Sequence, residues 1–222
     1  AVIEGNRTTF EGGGLFVKAS GSQPDIHNTV VLGNEADKGG GLFVRRSART
    51  DLINVTFTGN TATEGGAVYN QLTSASTGPV LQNALLWNNG DANSGAEIVS
   101  DDASLTVSNT LLAGGLGGIV EKNGASTTDD GGTLDADPQF VNAADPNGVD
   151  DAFGTPDDGL RVTPSSPAVD AGDDSALPAD ALDLDGDDDT SEPLPVDLTG
   201  APRVQDGTVD LGAYEGGTPA LA

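Results

Sequence analysis

The chain has 222 residues, with 32 Gly, 36% hydrophobic residues and only 4% aromatic ones, a composition of many turns and thin packing layers that excludes a broad core of large side chains. It has no Cys and a single His, His27, which excludes disulfide scaffolds, thiolate metal sites, cysteine nucleophiles and a multi-histidine metal centre within one chain. The formal charge of -26 leaves only 9 Lys and Arg, too few for a phosphate-binding surface, so nucleic acid is not an expected partner.

The acid is unevenly placed. Residues 1–122 hold 12 acids against seven bases, a net of -5, whereas residues 123–222 hold 23 acids against Arg161 and Arg203, a net of -21. A chain that spread acid over every exposed surface would not show this step, so local carboxylate clusters are expected in the second part, with calcium as their counter-ion.

Within 1–122 two motifs alternate. Ala1-Val2-Ile3-Glu4-Gly5-Asn6 opens a column that returns as Asn28 to Asn34, Asn54 to Asn60, Asn83 to Asn89 and Asn109 to Gly115. Down this column Ile3, Val31, Phe57, Leu86 and Leu112 are large and apolar, while Glu4, Leu32, Thr58, Trp87 and Ala113 beside them are mixed. This is the alternation of a strand with one face buried and the other in solvent. The second motif, Gly12-Gly13-Gly14-Leu15-Phe16-Val17, returns as Gly39 to Val44 and, more weakly, as Glu64 to Tyr69 and Asn93 to Ile98. That alignment points Leu15, Leu42, Ala67 and Ala96 inward, with Val17, Val44, Tyr69 and Ile98, and leaves Phe16, Phe43, Val68 and Glu97 outward. Coils of 25 to 29 residues with short strands at matching places predict a parallel β-solenoid in which like residues stack about 4.8 Å apart.

Gly5-Asn6, Gly33-Asn34 and Gly59-Asn60 fall where each coil must turn. Both residue types tolerate positive φ, and stacked Asn side chains can hydrogen-bond from coil to coil. Asn6-Arg7-Thr8 and Asn54-Val55-Thr56 also match the glycosylation sequon; the stacking role is the preferred reading.

Phe57-Thr58-Gly59-Asn60 followed by Gly65-Gly66-Ala67-Val68 resembles the paired FxxN and GGA[ILV] repeats of the polymorphic outer-membrane-protein family of bacterial surface adhesins. The resemblance covers about 1–122, is good in one coil and degenerate elsewhere, and implies a right-handed parallel β-helix and a surface location.

From Asn123 the pattern loosens. Short apolar pieces such as Phe140-Val141, Leu160-Arg161-Val162, Ala168-Val169 and Val209 to Tyr214 alternate with Asp-, Gly- and Pro-rich connections, which predicts further irregular coils and long loops that continue or cap the helix over 123–222. Asp137-Pro138-Gln139-Phe140, Ser166 to Gly172, Pro202-Arg203 and Asp210 to Glu215 resemble, in order, the choice-of-anchor Q region of secreted bacterial and archaeal β-helix proteins. That family is associated with cell-surface proteins and brings no catalytic residue.

Two acid clusters are candidate metal ligands. Asp183, Asp185, Asp187 and Asp189 alternate around Gly186, so several oxygens can converge on one hard cation. Asp145, Asn147, Asp150 and Asp151 form a shorter set, completed by Asp157 or Asp158. Counted from Asp183, the twelfth position is Leu194, so the first cluster is not a full EF-hand loop on that count.

Catalysis is not expected. The Gly-His-Gly and Arg-Ile-Lys motifs of polygalacturonases are absent, the bases Arg45, Arg46 and Arg49 are scattered, Asp101-Asp102 reads as a solvated turn, and His27 lies just before a strand. No stretch approaches the roughly 20 apolar residues of a membrane-spanning helix, and no signal peptide precedes Ala1. The reading is an all-β extracellular structural or adhesive protein, stabilised by calcium and stacking end to end on copies of itself. The alternatives are a passive stalk module flanked by adjoining segments of a longer adhesin, and a polysaccharide-binding or polysaccharide-cleaving β-helix with glycans as partners.

Overall fold

The structure, a computed structural model, describes residues 1–19, 21–46, 48–71, 78–205 and 207–216. It is a parallel β-solenoid of about five turns. The strands are β1 (Val2–Glu4), β2 (Leu15–Lys18), β3 (Asp25–Leu32), β4 (Glu35–Lys38), β5 (Leu42–Arg45), β6 (Asp51–Thr58), β7 (Thr61–Glu64), β8 (Val68–Gln71), β9 (Val80–Trp87), β10 (Gly90–Asp91), β11 (Ile98–Asp101), β12 (Ser104–Leu112), β13 (Ile119–Lys122) and β14 (Ser126–Asp129). The coils feed three parallel sheets, of which the smallest takes a strand from only three of them: β1-β3-β6-β9-β12-β14, β4-β7-β10 and β2-β5-β8-β11-β13.

The columns read from the repeats are the registers of the six-stranded sheet. Ile3, Val31, Phe57, Leu86 and Leu112 pair in turn, and the last four are fully buried. Ile26, Leu52, Leu81 and Val107 form a second inward column of the same core. Each such side chain meets its equivalent one coil away, and each large one fully buried contributes about 1.5–3 kcal/mol against the cost of ordering a glycine-rich chain.

In the five-stranded sheet the sequence alignment holds for the first two copies and slips by one residue in the third and by two in the fourth. Leu15, Leu42, Val68 and Ile98 pair and face the core, so Val68 points inward, and Tyr69 joins Phe16, Phe43 and Val99 on the outer side. The reason is conformational. Gly12, Gly39, Gly65 and Gly95 take φ of 68, 64, 66 and 72°, a left-handed turn that glycine fills without strain, so the equivalent of Gly12 is Gly65 and not Glu64. Just after this turn the coils come close: a Cβ on Gly40 would lie 2.5 Å from the Thr61 carbonyl oxygen and 2.6 Å from that of Gly66. Phe43 stacks on Tyr69 at 5.3 Å and meets Phe16 edge-on at 5.4 Å. Of the two phenylalanines expected on an exposed flank, only Phe16 is exposed; Phe43 is buried.

The asparagine ladder forms as expected. Gly5, Gly33 and Gly59 have φ of 64, 62 and 66°, and the Asn after each is stacked. The Nδ2 of Asn6 donates to Oδ1 of Asn34 (3.0 Å), Asn34 to Asn60 (2.9 Å) and Asn60 to Asn89 (2.8 Å). The backbone N–H of each donor residue binds the same oxygen. Glu97, expected outward, instead turns in and ends the ladder: its carboxylate accepts the Asn89 N–H at 3.0 Å and Nδ2 at 2.6 Å. The next coil has Gly115 where the ladder needs an Asn, so the orphaned amide of Asn89 draws in the nearest acceptor.

Burial pushes the Glu97 carboxyl up to about 6, against the pull of the Asn89 hydrogen bonds. Its folded pKa thus exceeds its unfolded one, so the folded state holds the proton more tightly. The stability this gives is present below the unfolded value and is lost as pH rises through about 6, a change of about 2 kcal/mol. Urea unfolding of wild type and Glu97→Gln from pH 4 to 7 should therefore show the variant gaining on wild type by that amount across the window; a constant difference refutes the assignment.

The outer face of the six-stranded sheet, expected in solvent, is covered. After β14 and a bridge from Leu134 to Leu111, the described chain adds no further parallel strand and runs back along this face. Leu85 and Leu111 pack on Val162, Ala168 and Leu211, while Val30 packs on Leu160, Ala213 and Tyr214. Asn28, Asn54, Asn83 and Asn109, one in each long strand, hold φ of 44, 51, 51 and 40°. This left-handed kink breaks the two-residue alternation and turns the side chain out. Their Nδ2 groups donate to the carbonyls of Val196, Asp210, Asp173 and Ala171 respectively. One asparagine per coil thus pins the returning segment.

Candidate functional site

The acidic loop of residues 180–192 is closed at its base. Asp180 N–H donates to the Glu192 carbonyl at 2.8 Å, Leu194 N–H to the Pro178 carbonyl at 2.8 Å, and Ala179 bridges Pro193 antiparallel. Leu194 anchors it in the interior, and Asn28 holds Val196 just beyond. Within this frame the chain turns at Gly186, φ 77°, and brings carboxylates together. One oxygen each of Asp180, Asp183 and Asp185 lie within 4.8 Å of one another, and so do those of Asp185, Asp187 and Glu192.

Of the four acids predicted as ligands here, Asp183, Asp185 and Asp187 converge. Asp189 does not: its Oδ1 accepts the Ser191 N–H at 2.9 Å and Oγ at 2.7 Å, and these bonds hold its pKa below the ordinary value. Sequence reasoning missed Asp180 and Glu192. Desolvation, then the charges of Asp187, Asp185, Asp189 and Asp180, hold the Glu192 carboxyl above its ordinary range.

The second predicted set is arranged differently. Asp145, Asn147, Asp150 and Asp151 are in neither convergent group among the described residues. Asp150 accepts the Ala152 N–H at 2.9 Å, and Asp157 accepts Val149 N–H at 2.7 Å and Thr155 Oγ1 at 2.8 Å. Those bonds hold Asp157 below its ordinary pKa and fix turns. Asp158 is buried and accepts the Tyr214 hydroxyl at 2.8 Å.

The motifs Pro202-Arg203 and Asp210 to Glu215 meet in the interior. Arg203, 1% exposed, donates to the carbonyls of Gly212 (2.6 Å) and Asp210 (3.3 Å) and lies 3.7 Å from the Glu215 carboxylate. Asp210 receives the N–H groups of Asp170 and Gly216, and Asp197 that of Glu215. One guanidinium thus faces three buried carboxylates, and burial pushes Glu215 up to about 9.

Asp101 is tied down. Burial would raise its pKa, but hydrogen bonds from Asn123, Tyr69 and Gln71 outweigh that and hold it low. Arg45 pairs with Glu11 and Arg49 with Asp51. Asp101 is buried, so Asp101-Asp102 is not the solvated turn expected.

The outermost coils present open sheet edges. β1 and β2 are the edges at one end, β14 and β13 at the other. Half-buried Val2, Ile3 and Leu15 lie at the first end with Phe10 75% exposed. At the other, Leu116, Ile119, Glu121, Thr127 and Asp129 line a cavity of about 360 Å³.

Residues 54–71 match the Chlamydia polymorphic membrane protein repeat. No curated protein and no solved structure matches the chain. The repeat match and the solenoid fit a surface-associated repeat protein, and no helix among the described residues is long and apolar enough to cross a membrane.

Proposed function

We propose that the protein is an extracellular structural subunit that lengthens by stacking its solenoid end to end, and not an enzyme. The observation that carries this reading is the pair of open edges: among the described residues, the two larger sheets end at both ends of the solenoid on strands of the same parallel type with no outer neighbour. An edge with free N–H and C=O groups is a template for another strand, and a head-to-tail contact between unlike ends does not close, so it grows a filament. The second reading, a stalk segment of a longer adhesin, fills those edges with adjoining coils of the same polypeptide.

The solution mass measured by light scattering separates the two. Species growing from 22.2 kDa with concentration support self-stacking; a constant 22.2 kDa overturns it and leaves the stalk. Glycan ligands are tested by the same sample on an immobilised polysaccharide array.

A further inference from the structure

We infer that the loop from Asp180 to Glu192 is a calcium site centred on Asp185. Convergent acids alone would not carry this, because exposed carboxylates cluster without ligands. What carries it is Asp180: the residue is 1% exposed, its Oδ2 accepts the Leu184 N–H, and its Oδ1 is buried with no hydrogen-bond partner among the described residues. Glu192 Oε1, across the loop, is in the same condition. These two buried carboxylate oxygens belong to residues that each share a convergent group with Asp185, and a cation held by those groups supplies the partner they lack.

The type of ligand favours calcium, which takes six to eight carboxylate and carbonyl oxygens in a flexible arrangement, whereas magnesium demands a near-ideal octahedron and keeps its waters. Counting the loop from Ala181 in place of Asp183 puts Asp183, Asp185, Gly186, Asp187 and Glu192 at positions 3, 5, 6, 7 and 12. Those are the positions at which an EF-hand loop carries its side-chain oxygens, its turn glycine, a backbone ligand and its bidentate glutamate. Position 1 is Ala181, and the acid missing there is provided by its neighbour Asp180. Asp185 is common to both carboxylate groups, so the site stands or falls with it. This assignment does not rest on the stacking proposal.

The test is calorimetric titration of the full chain with calcium chloride in about 0.15 M salt, which screens diffuse attraction to the acidic surface. Wild type and Asp151→Asn, which removes one charge from the other acidic loop, should bind saturably and alike. Asp185→Asn and Glu192→Gln should each bind at least about tenfold more weakly, and magnesium should bind wild type more weakly by a similar factor. Asp185 is exposed, so its variant should give the wild-type circular dichroism spectrum without calcium. Saturable binding that survives both substitutions, magnesium binding as tight as calcium, or uptake that never saturates would each overturn the assignment.

Discussion

Arg203→Ala is expected to lower stability by about 3–5 kcal/mol, the cost of emptying the space of a large buried side chain and of taking the cation out of a buried acidic cluster. The side chain is fully enclosed and faces Glu215, Asp210 and Asp197. Without it Asp210 and Asp197 lose the positive group they face, and the carbonyls of Asp210 and Gly212 lose their donor. Those residues belong to the strip that docks on the solenoid: Gly212 N–H donates to the Asn83 carbonyl and Ala213 N–H to Thr56 Oγ1. The damage should therefore be regional. Limited proteolysis should cut Arg203→Ala between 140 and 216 before the coils, and the thermal midpoint should fall by roughly 10 °C for a chain of this size. Arg203→Met should recover part of the loss, since it refills the space without a charge, and Glu215→Gln beside it should add little at neutral pH because that carboxyl, held up to about 9, already keeps its proton. An Arg203→Ala substitution that shifts the midpoint by less than about 2 °C would show that the buried guanidinium contributes little.

Asn60→Ala should cost about as much by another route. Asn60 Oδ1 accepts both the N–H and the Nδ2 of Asn34, and its own Nδ2 donates to the Val31 carbonyl and to Asn89 Oδ1. Alanine leaves the Asn34 N–H without its acceptor and takes one bond each from Asn34 Nδ2, the Val31 carbonyl and Asn89 Oδ1, in an interior where Asn60 is 0% exposed. At about 1–3 kcal/mol for the unsatisfied N–H and about 0.5–1.5 kcal/mol for each bond lost, the loss should reach about 3–5 kcal/mol. Asn6→Ala, at the exposed end of the same ladder, leaves groups that water can reach and should cost under about 1 kcal/mol. Chemical denaturation of the two variants reads the gradient directly; equal losses would mean that the ladder is not a buried network.

The solenoid was legible because parallel stacking repeats the same chemical demand once per coil. Val31, Phe57, Leu86 and Leu112 announce one inward column whatever surrounds them. The weaker copies of the glycine strand slip by one and two residues because letters were aligned and not conformation: Gly65 and Gly95, not Glu64 and Asn93, take the left-handed turn that Gly12 and Gly39 make. Glu97 was misplaced for a related reason, since a charged letter suggests an outward column until the missing ladder residue at Gly115 is noticed. The cover over the outer face was hidden because a segment that docks on another leaves no periodicity of its own. A signal for it was present, however: Asn28, Asn54, Asn83 and Asn109 open four copies of the first motif, an unusual residue to repeat within strands. In the acidic loop the alternation of Asp183, Asp185 and Asp187 was readable, whereas Asp180 and Glu192 enter only once the base of the loop is seen to close.

The four kinked asparagines act as a gauge of length. Each coil presents one amide, and each amide takes one carbonyl from the returning strip, so the strip must be cut to the same measure as the stack. A duplication or loss of a single coil would shift the pins by about 4.8 Å and leave a buried amide or carbonyl without its counterpart. Growth of such a molecule by the addition of isolated repeats is thereby barred along this face. New coils can be inherited only together with a matching stretch of cover, or beyond the reach of the strip altogether.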